Sequence, residues 1–167
     1  MPKKLPVVAN TSPLIALSAA LADFSVLGAV AERVLVPAEV FEELRAGGQA
    51  DATHQLVRAA ACCEVLAPFA ALPVLLTSEL GRGEAAVIHA ALTRRVSIVA
   101  IDELRGRRWA RRHGLRVTGS LGLLLELYRA GVVPSLEGAF AAMKAKGIYL
   151  DDRLLQQVLT AARSEEA

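Results

Sequence analysis

Four oxygen-bearing side chains, Asn10, Glu43, Glu84 and Asp102, sit where this 167-residue sequence could do chemistry. Asn10 ends the apolar run "LPVVA" and Asp102 ends "VSIVAI", the two places where a buried strand gives way to a polar turn. In open parallel sheets, sites form outside the carboxyl ends of the strands, so both residues stand where a ligand would be met. Together with Glu43 and Glu84 they would bring hard oxygen ligands to one sheet edge. Such a set, with no thiolate and few histidines, suits Mg²⁺ or Mn²⁺ and argues against Zn²⁺.

Each acid also has an ordinary explanation. In "PAEVFEEL", Val40, Phe41 and Leu44 define the buried stripe of a helix. Glu43 lies about 105° from its centre, on the flank, while Glu42 points about 150° away. Of this helix's acids only Glu43 is expected to border the core, and alone it reads as a solvated acid. Glu84 is sharper. It falls within about 30° of the centre of the face formed by Ala85, Ile88, Ala91 and Leu92. A carboxylate there is costly unless paired, hydrogen-bonded or bound to a cation, although the first turn of a helix favours negative charge. Asp102 could equally cap the helix that follows. Glu103 reads as a first-turn acid, Glu126 points away from its helix's apolar side, and Asp151 and Asp152 read as caps. His54, His89 and His113 have no zinc spacing, and the latter two read as helix-surface residues. The adjacent Cys62 and Cys63 fall in an apparent helix as core fillers, with no third cysteine to pair with.

The elements that must hold these groups alternate between strand and helix. Strands are expected over residues 5–9, 33–36, 64–66, 97–101 and 116–118. Helices are expected over 13–21, 22–30, 37–45, 51–62, 83–94 and 104–113, then 120–130, 136–146 and 152–162. Ser12 and Pro13 have the chemistry of an N-cap followed by the first helical residue, which would free the Asn10 side chain. This alternation predicts a parallel sheet covered on both faces. The chain fits one domain spanning residues 1–167, with its motifs in about 5–131 and further helices in about 132–163. At 54% apolar and 22% charged it is far from a disordered composition. A net charge of +2 is too small to imply nucleic-acid binding by itself. Lys3 and Lys4 loosely mimic a leader, but Asn10, Thr11, Ser12 and Pro13 break the apolar run, so a soluble cytoplasmic protein with no membrane association is expected.

"VVANTSPLIAL", "VLVPAEVFEEL", "GRGEAAVIHAA" and "VAIDELRGRRWARRHGLRVTGSLGLLLELYRAG" occur in the order and spacing of PIN-domain proteins, and the chain resembles that family. Its pattern is similar to the bacterial and archaeal subgroup of VapC-type ribonuclease toxins from toxin–antitoxin pairs. The resemblance implies a three-layer α/β/α fold with a short, mostly parallel sheet. It also implies an acidic pocket for Mg²⁺ or Mn²⁺, hydrolysis of RNA phosphodiesters, a homodimer and an antitoxin partner. The family's acids fall on Asn10, Glu43, Glu84 and Asp102, and the first is a departure. An amide oxygen can bind a cation but brings no charge. Asn10→Asp is therefore expected to tighten metal binding.

In such a pocket Glu84 and Asp102 would be the main metal ligands. Asn10 would ligate through its amide oxygen or a water, and Glu43 would orient the attacking water or hold a second ion. Thr11, Thr118 and Ser120 offer hydroxyls, Ser120 equally as a cap. Arg105, Arg108 and Arg112 recur at helical spacing after Asp102, suited to tracking a phosphate backbone. Trp109 among them reads as a core anchor before a base-stacking platform. The neutral Asn10 keeps a second reading open: a PIN-fold nucleic-acid-binding protein with weak or no nuclease activity.

Overall fold

The computed structural model describes residues 3–45 and 48–164. Five short strands form one sheet: β1 (Val7–Ala9), β2 (Val34–Val36), β3 (Cys63–Val65), β4 (Ile98–Ala100) and β5 (Arg116–Thr118). Their order is β3-β2-β1-β4-β5, and every neighbouring pair is parallel. Val7, Val8 and Ala9 are all buried, as are Val34, Leu35 and Val36. Successive strand side chains point to opposite faces, so burial of all three means that both faces are covered. The architecture is the expected three-layer α/β/α sandwich, with a wholly parallel sheet.

The chain leaves β1 toward β2 on one side and returns through β4 on the other, so the strand order reverses between β1 and β4. A crevice at that switch point is where ligands bind in open α/β sheets. Register fixes what stands there: Ala9 pairs with Ala100, and the Asn10 N–H donates to the Ala100 carbonyl at 2.9 Å. Asn10 therefore sits beside the residues leading to Asp102.

Helices α1 (Thr11–Ala20), α2 (Ala38–Glu43), α3 (Gln49–Ala59), α4 (Val74–Thr77) and α5 (Arg82–Arg94) precede β4. Helices α6 (Leu104–Arg112), α7 (Ser120–Arg129), α8 (Leu136–Ala145) and α9 (Asp152–Ser164) follow it. Helix α1 packs on α3, α7 and α8, α7 packs on α9, and α5 packs on α2, β1 and β4. Leu136, Phe140 and Met143 of α8 and Leu155, Val158 and Ala162 of α9 join the core, so both C-terminal helices are built into it. No helix among the described residues is long and apolar enough to cross a membrane.

Three local expectations change. The apolar stretch 22–30 is a 3-10 helix over Phe24–Ala29, with the Asp23 carboxylate at its N-cap taking the Ser25 N–H at 2.8 Å. Cys62 and Cys63 lie outside a helix: α3 stops at Ala59 and Cys63 opens β3. Both are half-buried, and the Cys63 thiol is pushed up to about 12 by burial and the neighbouring Cys62. Helix α1 starts earlier than expected, with Asn10 itself in the N-cap position and extended backbone (φ −86°, ψ 169°). Ser12 and Pro13 then fall inside the first turn, where proline's missing N–H costs nothing. The Asn10 side chain makes no cap bond and is turned to other work.

Candidate functional site

Asn10 is 3% exposed, yet only one of its two amide atoms has a protein partner. Its Nδ2 donates to Glu103 Oε2 at 3.4 Å, and its buried Oδ1 accepts no hydrogen bond. Ser12, on the first turn of α1, donates to the other Glu103 oxygen. Thr11 donates to Glu43, whose other oxygen accepts the Gly83 N–H at 3.1 Å. The corner where β1 enters α1 thus holds two carboxylates, one from α2 and one from the β4–α6 junction.

Glu84 opens α5 as its sequence position predicted. It is partly buried and accepts a hydrogen bond from the N–H of Gly81, the N-cap residue. That backward reach is half of a capping box. Its other oxygen, Oε1, is fully buried and has no partner. Burial raises the Glu84 pKa above the usual carboxylate range, and the charges of Glu103 and Glu43 add to the rise. The Gly81 N–H and Arg105 pull it back in part.

Asp102 does not cap the helix that follows it. Glu103 holds the N-cap position of α6, without a side-chain cap bond, and Asp102 reaches across to α7, where it accepts the Ser120 N–H at 2.8 Å. The Ser120 hydroxyl also bonds to it. Ser120 is therefore the first residue of α7, with Gly119 at its N-cap, and serves by gripping Asp102. Although Asp102 as a residue is exposed, desolvation of its carboxyl raises the pKa, Glu103 raises it further, and the Ser120 bonds and Arg107 oppose the rise.

Three glycines shape this cluster, each making room for one carboxylate. A Cβ on Gly83 would lie 2.6 Å from Glu43 Oε1, one on Gly106 2.3 Å from Glu84 Oε1, and one on Gly119 2.5 Å from Asp102 Oδ1. No carbon approaches an oxygen that closely, so only glycine lets the acids sit where they do.

Asn10, Glu43, Glu84 and Asp102 thus share one corner of the fold. Thr118 takes part through its carbonyl, which accepts the Ile101 N–H, while its hydroxyl lies against Gly122. Arg105, Arg108 and Arg112 are exposed on α6, with Arg105 paired to Glu79 at 3.6 Å. Trp109 is half-buried against the core and stacks on His113, in keeping with an anchor. His54 is buried and stacked on Phe41, and His89 is half-buried with its ring edge on Phe69.

Two expectations about the acids are corrected. Glu43 is exposed, and Glu39, one turn earlier on the same side of α2, is the buried acid at 6% exposure. Its carboxylate accepts the Phe69 N–H at 3.2 Å. Glu103 is no ordinary first-turn acid, because it bridges Asn10, Ser12 and the field at Glu84 and Asp102.

Sequence reasoning also passed over Arg107. Its Nη1 donates to the Ile101 carbonyl at 2.8 Å and the Thr118 carbonyl at 3.1 Å, tying β4 to β5 directly behind Asp102. Arg107→Ala should cost about 2 kcal/mol, the scale of hydrogen bonds from a charged donor. In a domain of this size that lowers the melting temperature by roughly 4–8 °C. An unchanged melting curve would show that the brace is dispensable.

The raised carboxyl values give a pH signature. Folding holds protons on Glu84 and Asp102 more tightly than the unfolded chain does, so stability falls as pH rises from the usual carboxylate range through the raised values. In EDTA the melting temperature should climb as pH drops from neutral toward that range. Glu84→Gln should flatten the climb. A fall in wild-type stability over that interval would contradict it.

Among the described residues, no three His, Cys, Asp or Glu side chains stand close enough together to hold a metal ion as placed. The donor chemistry nonetheless fits a hard divalent cation. All the groups are oxygens, the charges of Glu103 and Glu43 bear on Glu84, and two of the buried oxygens, Asn10 Oδ1 and Glu84 Oε1, lack partners, as does the buried Glu39 Oε2 on α2. Buried orphan oxygens are rare and call for an explanation such as an ion.

The DUF3368 family model, described as a PIN domain, matches residues 6–164. No curated protein matches the chain. PIN domains are generally nucleases and generally use Mg²⁺ or Mn²⁺. With the model match running from β1 to the last turn of α9, the chain belongs to the DUF3368 family of PIN domains.

Proposed function

We propose that the chain is a divalent-metal-dependent ribonuclease of the VapC-type branch, hydrolysing RNA phosphodiesters as the toxin of a toxin–antitoxin pair. The observation that carries the activity is the pair of buried, unpartnered oxygens on Asn10 and Glu84, set among mutually repelling carboxylates at the β1/β4 switch point. Glu84 and Asp102 would hold Mg²⁺ or Mn²⁺, with Asn10 offering its amide oxygen. The bound cation would neutralise phosphate charge and lower the pKa of water.

Glu43 suits the remaining role. It is exposed, fixed by Thr11 and the Gly83 N–H, and free to orient a water and accept its proton. The water oxygen bonds to phosphorus as the bond to the leaving oxygen breaks, and that oxygen takes a proton from solvent. Arg105, Arg108 and Arg112 lie on the helix that begins beside Asp102 and Glu103, and can follow the phosphate backbone. An antitoxin and a second copy of the chain are the proposed partners, and Val74 and Leu75, exposed on α4, offer apolar surface to either.

A mixed RNA pool incubated with the protein and Mg²⁺, Mn²⁺ or EDTA tests the activity. Cleavage that needs the metal and disappears in Glu84→Gln supports the proposal. RNA retained on the protein without cleavage in any metal would favour the binding-module reading, which the neutral Asn10 supports.

A further inference from the structure

Glu103 turns its side chain away from the helix it begins. It occupies the N-cap position of α6 but makes no cap bond there. Instead its two oxygens accept from Asn10 Nδ2 and Ser12 Oγ, both on the far strand–helix corner. Asn10 is a neutral residue at the end of the first strand, and the parallel register of β1 with β4 brings the β4–α6 junction alongside it. Resting on the metal-site reading above, we propose that Glu103 supplies the negative charge that Asn10 lacks: a carboxylate from the β4–α6 junction is held over the end of β1 by Asn10 and Ser12.

Asn10 then has two jobs. Its Nδ2 fixes Glu103, and its unpartnered Oδ1 is left to face the cation. An aspartate at position 10 could not do the first, having no donor, and would place a second carboxylate against Glu103. The charge of Glu103 already reaches Glu84 and Asp102, so it is part of the same field as the two main ligands. The expected gain from Asn10→Asp therefore depends on what stands at position 103.

Calorimetric titration of Mn²⁺ into the metal-free full chain tests this as a double-mutant cycle. Glu103→Gln should weaken binding about ten-fold or more. Asn10→Asp should restore most of that loss in the Glu103→Gln background, and gain at least about ten-fold less in the wild-type background. Ser12→Ala, which removes a tether and no charge, should weaken binding by a smaller factor. It keeps the test available should Glu103→Gln melt early. This role of Glu103 is overturned if Asn10→Asp has the same effect in both backgrounds. It is also overturned if Glu103→Gln and Ser12→Ala both bind as wild type while Glu84→Gln does not. If Glu84→Gln too binds Mn²⁺ as wild type, the metal site itself is wrong.

Discussion

Glu84→Gln should abolish metal-dependent RNA cleavage, by about 100- to 1000-fold or more, and should make the metal-free protein more stable. The two effects have opposite signs because they have one cause. Glu84 holds a fully buried oxygen without a partner, under the charges of Glu103 and Glu43. That arrangement is unfavourable in the metal-free protein, and under the proposed function it would serve a cation. Glutamine keeps an oxygen for the Gly81 N–H and presents an NH₂ that can donate to the neighbouring carboxylates. The melting temperature in EDTA should rise by about 2–4 °C, the shift made by ~1 kcal/mol in a domain of this size. Glu126→Gln, at an exposed acid paired with Arg129, should leave cleavage intact and stability nearly so. Sites selected for function often give up stability in this way. A Glu84→Gln protein that cleaves normally, or that melts below wild type in EDTA, would show that the acid is a structural cap.

How much of that site the sequence discloses depends on whether its causes are local. Glu84 is legible because it lies on the apolar side of its own helix, and Asp102 because an apolar strand ends there. Glu103 is not legible, since its partners lie 93 and 91 residues away and are set by the β1–β4 register. Glu39 shows the limit of helical-wheel reasoning within one element. It shares a face with Glu43 at i, i+4, yet Glu39 is the buried one, with the Phe69 N–H on its carboxylate. The glycines were visible as letters, but their purpose required knowing which carboxylate each one faces.

The same distinction governs the fold. Short apolar runs bounded by polar turns locate the strands to within a residue or two, and 116–118 coincides with β5. Their parallel pairing follows from the intervening helices. Where a side chain competes with the backbone, composition misleads. Asp23 caps a short 3-10 segment where the apolar pattern reads as an α-helix, and Asn10 holds the N-cap position of α1 while its side chain bonds Glu103 instead of the cap.

Gly106→Ala should be among the most damaging single-methyl changes in the molecule, against the grain of helix propensity. Gly106 lies within α6, where alanine is ordinarily favoured by about 1 kcal/mol. Here the added Cβ would fall 2.3 Å from Glu84 Oε1 and 2.9 Å from Ile101 Cγ2. Both neighbours are constrained: that Glu84 oxygen is buried, and Ile101 is fully buried beside β4. Overpacking of this kind costs roughly 1–3 kcal/mol, so the net effect should be a fall in melting temperature of several degrees. Relief by swinging Glu84 aside would remove it from the site, and cleavage should fall about 100-fold. The two routes separate in a cycle with Glu84→Ala, which clears the oxygen but leaves Ile101. In that background Gly106→Ala should recover part of the lost stability and have no further effect on cleavage. Should Gly106→Ala instead stabilise the protein with cleavage unchanged, the space beside Glu84 would be ordinary slack in the packing, and the glycine a weak point in its helix.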